Sequence, residues 1–375
     1  MYHPPFCPHR GCPAHFTPPR ARWWARRGFY SSRCGGRVQR YRCRLCGRSF
    51  SRQSFSIDYY AKRRLSYRQL QRLLRSCCGI RQSARLLRVY PATVLNKIMR
   101  LSRQAIAAHA GLLDRIELEE DLAADGLESY WCSQYFPNNF TVLLGAESRF
   151  LFDWEAVTLR RSGRMSEGQK GRRAELEQRW SADPEATYRS FGRILTTATG
   201  LIEVSRRQPI ILSTDCHTAY RRVFDEHPQW QELLQAGRCG HRSVSSRRAR
   251  TAANPLNPVN TFDRQIRNDM AEHVRETIRF ARNRAHSLER FAVSAFDYNY
   301  CKRYRVNQPA GDGQTHAEVA GVAPEAVQRA QRRLCRQRAF LSRTVLTLSQ
   351  IAVWLRIERT PLKERDEYLP AYLLA

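Results

Sequence analysis

Two short-spaced thiol pairs limit what this chain can fold into more than any other feature. Cys7-x4-Cys12 lies near the start, and Cys43-x2-Cys46 lies inside YRCRLCGRSFS. Two such pairs separated by a loop can close around one tetrahedral zinc, so residues 1–56 read as a zinc ribbon. The intervening RARWWARRGFY mixes Arg with aromatic rings, and the expected ribbon would present guanidinium groups and stacking surfaces to a polyanion. The other eight cysteines, Cys34 among them, are scattered without a secreted-scaffold pattern, which points to a reducing compartment.

Charge enlarges that expectation from the ribbon to the whole chain. A formal net charge of +30 over 375 residues calls for a polyanionic partner, because neutralising phosphates releases condensed counterions. Only five of the 64 basic residues are Lys, and Arg suits bidentate contacts to phosphate or guanine. The N-terminal MYHPPFCPHR has no apolar signal core, and no run of about eighteen apolar residues exists to cross a bilayer. The expected setting is cytoplasmic and nucleoid-associated, with no membrane partner. No G-x-x-x-x-G-K-[ST] motif argues for an ATP-driven motor, and no G-x-S-x-G elbow argues for serine hydrolase chemistry.

From residue 67 to about 113 three apolar-periodic pieces are broken by Cys-Gly and by Tyr-Pro, the grammar of a helix-turn-helix over residues 57–113. Leu70, Leu73 and Leu74 would pack on Ala84, Leu87, Val94, Leu95, Ile98 and Leu101. That leaves Thr93, Asn96, Lys97 and Arg100 on an outer face able to enter a major groove; a merely solvated basic face is the plainer alternative. After an acidic run at Glu117, Glu119, Glu120 and Asp121, three strand-like segments follow as a meander: LAADGLESYW, FTVLLGAES and RFLFDWEAVTL. Residues near 160–187 have no core pattern and read as a surface insertion. TYRSFGRILTTATGLIE reads as a helix, PIILSTD as a buried strand, residues 220–234 as helical and SVSSRRAR as an edge strand, and one long helix is expected over residues 260–304. Three strands, a helix, a fourth strand, more helices and a late helix match the element order of an RNase H-like α/β fold.

Three carboxylates stand where such an architecture gathers them: Asp125 in the first strand of the meander, Asp215 closing PIILSTD, and Asp263 near the head of the long helix. Ile266, Met270, Val274 and Ile278 mark the expected buried stripe of that helix, and at about 100° per residue Asp263 falls within it. A carboxylate on a core-facing stripe is costly unless paired or metal-bound. Each acid has a plainer reading: Glu128 competes with Asp125, a turn with Asp215, and a helix cap with Asp263. Clustered carboxylates repel, and divalent cations, Mg²⁺ or Mn²⁺, resolve the repulsion in phosphoryl-transfer sites. His217, His241 and His273 are more readily packing or hydrogen-bonding residues than ligands.

With these residues in view, the chain resembles bacterial insertion-sequence transposases of the acidic-triad class. The resemblance is carried by CPHRGC with YRCRLCGRSFS, SARLLRVYPATV, DGLESY, LSTDCHTAY and NPLNPVNTFDRQIRNDMAEHVRETIRFAR, and also by NYCKRYRVNQ, THAEVAGV and TPLKERDEYLPAYLLA. It implies a zinc ribbon (1–56), a helix-turn-helix domain (57–113), an RNase H-like catalytic domain (114–306) and a helical C-terminal extension (307–375). It also implies binding of terminal inverted repeats and target DNA, metal-dependent cleavage and strand transfer, and a homodimer or higher oligomer in the synaptic complex. Asp125, Asp215 and Asp263 fall on the family's acidic positions; the third is commonly Glu, so Glu276 stays a second candidate. Arg264 and Arg267 are expected to hold the scissile phosphate or support Asp263. The competing reading is a domesticated zinc-ribbon and helix-turn-helix regulator without catalysis.

Overall fold

The structure is a computed structural model and describes residues 2–245, 247–274, 277–305, 313–346 and 350–351. Glu276 and the TPLKERDEYLPAYLLA tail therefore lie outside the described residues.

The N-terminal unit opens with a short helix α1 (Pro13–Phe16) and continues as an antiparallel sheet of β1 (Trp24–Ser32), β2 (Gly36–Cys43) and β3 (Ser49–Ser51). Tyr41 and Cys43 of β2 are buried and Arg40 and Arg42 beside them are exposed, as a half-buried strand requires. Trp23, Trp24, Tyr41 and Phe50 pack around the cysteines as the unit's small core. This corrects the expectation of displayed tryptophan rings: the tryptophans face inward because so small a sheet has little else apolar to bury. What the unit shows to solvent is guanidinium together with the ring of Phe29, which is exposed and lies under Arg37 at 4.2 Å.

Three helices follow: α2 (Tyr67–Arg75), α3 (Ile80–Leu86) and α4 (Pro91–Leu113). Ser66 caps α2 by accepting from the Gln69 N–H at 3.2 Å, and Pro91 starts α4, where a missing N–H costs nothing. Leu70, Leu74, Ala84, Val94, Ile98 and Leu101 form their buried seam, as the periodicity predicts. The same core runs on without a break into the following α/β unit, and α4 packs along α10 (Arg284–Tyr300).

The α/β unit is built on β4 (Leu122–Tyr130), β5 (Pro137–Gly145) and β6 (Leu151–Thr158), joined as an antiparallel meander. Then come α5 (Glu167–Arg179), α6 (Ala186–Val204), β7 (Ile210–Asp215), α7 (Thr218–Glu226), α8 (Pro228–Gln235), β8 (Cys239–Val244) and α9 (Asn257–Asp269). β7 and β8 add in parallel, so the mixed five-stranded sheet reads β6-β5-β4-β7-β8. The edge strand at β8 begins and ends earlier than SVSSRRAR. The insertion contains α5, whose Leu176 is its one buried residue. After α10 come α11 (His316–Val319) and α12 (Pro324–Leu334). No helix among the described residues is long and apolar enough to cross a membrane.

The long helix expected over residues 260–304 is two helices. α9 stops at Asp269, a 3₁₀ turn covers Ala271–His273, and α10 starts behind an Asn283 cap whose Oδ1 accepts from the His286 N–H at 2.9 Å. Tertiary pairing overrides the periodicity. The chain bonds to the end of β4 and beyond, with the Cys132 N–H donating to the Ala281 carbonyl at 2.8 Å and the Tyr130 hydroxyl to the Thr277 carbonyl at 3.0 Å. Glu272 turns inward to Arg290 and to Ser287 (3.1 Å), and His273 to the Ser129 hydroxyl (3.0 Å). Ile278, assigned to the buried stripe, is 92% exposed, and Val274 is exposed as well.

Residues past α12 return to the N-terminal unit as a clasp. Arg336 accepts from the Ile57 N–H at 3.1 Å, the Arg338 N–H donates to the Phe55 carbonyl at 3.0 Å, and Ser56 and Gln337 form an antiparallel bridge. Phe340 enters a ring cluster with Phe6 (5.1 Å) and Phe55 (6.1 Å). Buried His15 joins the Cys7 carbonyl (2.7 Å) to the Ser342 hydroxyl (2.7 Å).

Candidate functional site

Cys7, Cys12, Cys43 and Cys46 meet at one point. Sγ–Sγ separations are 3.8 Å for Cys7–Cys46 and 3.7 Å for Cys12–Cys43, and all four sulfurs lie within 4.8 Å of one another. A tetrahedron with metal–sulfur bonds of about 2.3 Å has edges of about 3.8 Å, so the donor set fits a metal such as zinc. Backbone bonds shape both knuckles: the Cys12 N–H reaches the His9 carbonyl, the Gly47 N–H reaches the Cys43 carbonyl, each at 3.0 Å. Gly47 sits at φ +69°, which a side chain would strain. Burial pushes the Cys7 and Cys12 thiols up, and a bound cation would offset the cost of their thiolate forms. Cys34 is buried in the same unit and lies outside this group.

The carboxylates are positioned by strand parity. In β4, Leu122 and Ala124 enter the core on one side of the sheet, and Ala123 and Leu127 the core on the other; Asp125 belongs with the second set. Ile210 and Leu212 of β7 mark the first side, which leaves Asp215 on the second. Leu122 pairs with Leu212 and Ala123 with Ser213, so this parallel register, continued two residues, brings Asp125 level with Asp215. α9 covers that same face, anchored by Val259, Phe262 and Ile266. Each is buried almost completely, and such burial stabilises by roughly 1.5–3 kcal/mol per side chain. Asp263, next to Phe262, is carried to the other two acids.

Electrostatics register the convergence. Asp125 is pushed up to about 7, first by burial and then by the negative charges of Asp215 and Asp263; the Gly126 N–H bond and the Arg250 charge act against the rise. The Gly126 N–H donates to Asp125 Oδ1 at 2.7 Å, and the His217 N–H to Asp215 Oδ1 at 3.0 Å. Arg267 Nη2 lies 3.9 Å from Asp263 Oδ2, one helical turn away, and Arg264 is exposed. Among the described residues, the cysteines are the one group of three or more ligand atoms drawn within 4.8 Å; the acids are more open than that. Three hard oxygen donors gathered on one face, two of them raising the proton affinity of Asp125, are chemically suited to a divalent cation. His217 caps α7, its Nδ1 accepting from the Ala219 N–H at 3.1 Å.

Sequence reasoning missed the layer beneath the acids. A Cβ on Gly126 would meet Asn139 Oδ1 at 2.2 Å, so glycine is what lets the Asn139 side chain cross under β4. Asn139 Nδ2 donates to Thr141 Oγ1 at 3.2 Å, and Thr141 shares a hydrogen with Ser190 at 2.8 Å. Tyr220 closes this layer, stacked on Phe191 at 4.2 Å, its phenol pushed far up by burial and then by the charges of Asp125 and Asp215. An isolated glycine directly after an acid inside a strand was the readable signal.

The helical unit differs from its expected display. Lys97 is 2% exposed: it pairs with Asp58 and lies over the Tyr67 ring at 4.8 Å. Arg100 donates to the Ile57 carbonyl at 2.9 Å, to the Tyr59 carbonyl, and to Asn96 Oδ1 at 3.0 Å. Both had been assigned to a groove-reading face; a carboxylate far upstream and two turn carbonyls recruit them inward. Thr93 and Asn96 are half-buried at the start of α4. The chain matches no protein-family model and none of the curated proteins compared with it.

Proposed function

We propose that the protein is a DNA transposase of the acidic-triad class, in which an RNase H-like domain cuts and joins DNA held by a zinc ribbon and a helix-turn-helix. The observation that carries this reading is the convergence of Asp125, Asp215 and Asp263 on one face of the β6-β5-β4-β7-β8 sheet, close enough that the latter two raise the proton affinity of Asp125. A mixed sheet, antiparallel in the meander and parallel beyond it, supports the RNase H-like reading. The excess of exposed arginine supports a DNA partner, and the four-cysteine cluster supports structural zinc. Two element ends must be held at once, so the acting form is a homodimer or larger, in the cytoplasm at the nucleoid.

Asp125, Asp215 and Asp263 would hold Mg²⁺ or Mn²⁺, which when bound supplies Lewis-acid polarisation of the phosphodiester and of the attacking oxygen. The protein's own residues do the rest. α9 and the β4–β7 register fix the three carboxylates, Arg267 supports Asp263, and the Asn139–Thr141–Ser190 layer keeps the floor rigid. In the first step, a water oxygen bonds to phosphorus and gives up a proton, the bond from phosphorus to the 3′ oxygen breaks, and that oxygen takes up a proton to leave as a 3′ hydroxyl. In the second, the oxygen of that hydroxyl bonds to a target phosphorus and loses its proton, and the target's 3′ oxygen is displaced and protonated, so one phosphodiester replaces another.

The test is Mg²⁺-dependent cleavage and strand transfer on DNA carrying the flanking element ends, comparing the natural protein with Asp215→Asn and Asp263→Asn. Both variants are expected to lose both reactions, by a hundredfold or more, and to keep end binding. Specific end binding by the natural protein with no cleavage would instead favour a non-catalytic regulator.

A further inference from the structure

Charge is spread unevenly along the chain. Residues 1–113 carry 24 basic residues against one acid, Asp58, and the remainder carries 40 against 33. Asp58 is itself occupied, paired with Lys97 and accepting from the Tyr67 hydroxyl at 3.1 Å. The basic residues of α4 that point toward Asp58 are therefore structural, and the module's free positive charge lies elsewhere.

One concentration of it lies on α3, the turn that follows it and the loop before α2. Arg81, Arg85 and Arg88 recur at intervals of four and three, one side of a helical turn, and all are exposed. With Arg63 and Tyr90 they line an open groove of about 590 Å³ floored by Val89. Among the described residues none of the four arginines is ion-paired with a carboxylate. Arg88 occupies the left-handed region at φ +52°, where a helix end is most cheaply completed by glycine. Its backbone is held there because the Val89 N–H donates to the Ala84 carbonyl at 3.0 Å, which aims the guanidinium over the groove. Pro91, the exposed first residue of α4, borders the same opening.

We infer that this groove, and not the flank of α4, grips the sugar–phosphate backbone of duplex DNA through Arg63, Arg81, Arg85 and Arg88. Guanidinium forks match phosphate oxygens bidentately, and an apolar floor suits deoxyribose. The inference rests on the transposase reading and adds to it the residues that hold the DNA.

The experiment measures binding of a short DNA duplex to the full chain by fluorescence anisotropy across a salt series. It compares the natural protein with R81A/R85A/R88A and with the charge-keeping R81K/R85K/R88K. The alanine variant is expected to bind at least tenfold more weakly at moderate salt. Its slope of log affinity against log salt should flatten by about 2.7, near 0.9 per lost phosphate contact, and the lysine variant should keep most of the slope. An unchanged melting temperature in the alanine variant identifies the loss as one of contact. Unchanged affinity and slope would overturn the groove assignment and leave the ribbon as the grip. Groove-dependent binding of duplex RNA in preference to DNA would overturn the choice of ligand. Failure of the natural protein to bind any DNA would overturn the transposase reading itself.

Discussion

At the scale of single residues, the acidic face is costly to fold and that cost is testable. The Asp125 carboxyl has its proton affinity raised to about 7 from a usual value of 3.8. The folded state therefore holds a proton that the unfolded chain has lost, and metal-free stability falls as pH rises. No penalty exists below the unfolded value; it grows between the two values and is complete above the upper one, at up to about 4 kcal/mol. Asp125→Asn removes it. In chelator, thermal unfolding at about pH 8 should find the variant more stable than the natural protein, with the gap closing toward pH 4. Adding Mg²⁺ should stabilise the natural protein and not the variant. Equal melting temperatures at the alkaline end would mean that Asp125 is not held against its neighbours' charge.

At the scale of elements, the four-cysteine unit is expected to depend on a bound metal, because its core is only a few aromatic rings. Replacing Cys43 with Ser is expected to lower bound zinc, read by metal analysis of the purified chain, and to weaken DNA binding. Cys34→Ser, equally buried in the same unit but outside the cluster, should keep its zinc. Full metal content in the Cys43 variant would remove the ligand assignment. The two thiol pairs were legible because ligand spacing is a local property, and the meander was legible because runs of β-branched and aromatic residues between turns are local too. The long helix was not: apolar spacing continues through Val274 and Ile278, and nothing in it says that the segment bonds to Cys132 and Tyr130. Lys97 was misplaced for a similar reason, its partner Asp58 lying 39 residues away and held by Tyr67 as well. Tyr220 and Asn139 escaped notice because their relation to the acids exists only once β4, β5 and α7 are assembled.

At the scale of the whole molecule, charge is segregated: the first 113 residues hold most of the net +30, and the acids beyond them are largely matched. Binding to DNA is therefore expected to be steeply salt-dependent. Between about 50 and 200 mM salt the affinity should fall by roughly a thousandfold or more, and a flat response in filter binding would contradict the electrostatic account. The two regions are joined by the continuous core under α2–α4 and by the clasp of residues 336–343. That clasp carries a consequence in time. During synthesis the cysteine unit can take its metal once Cys46 has emerged, but its berth is completed only when Arg338, Phe340 and Ser342 exist. Until then Phe6, Phe55 and His15 stand uncovered and twelve exposed arginines ride on an unmoored unit. The nascent chain thus carries a tethered basic unit before the body that aligns it has been made.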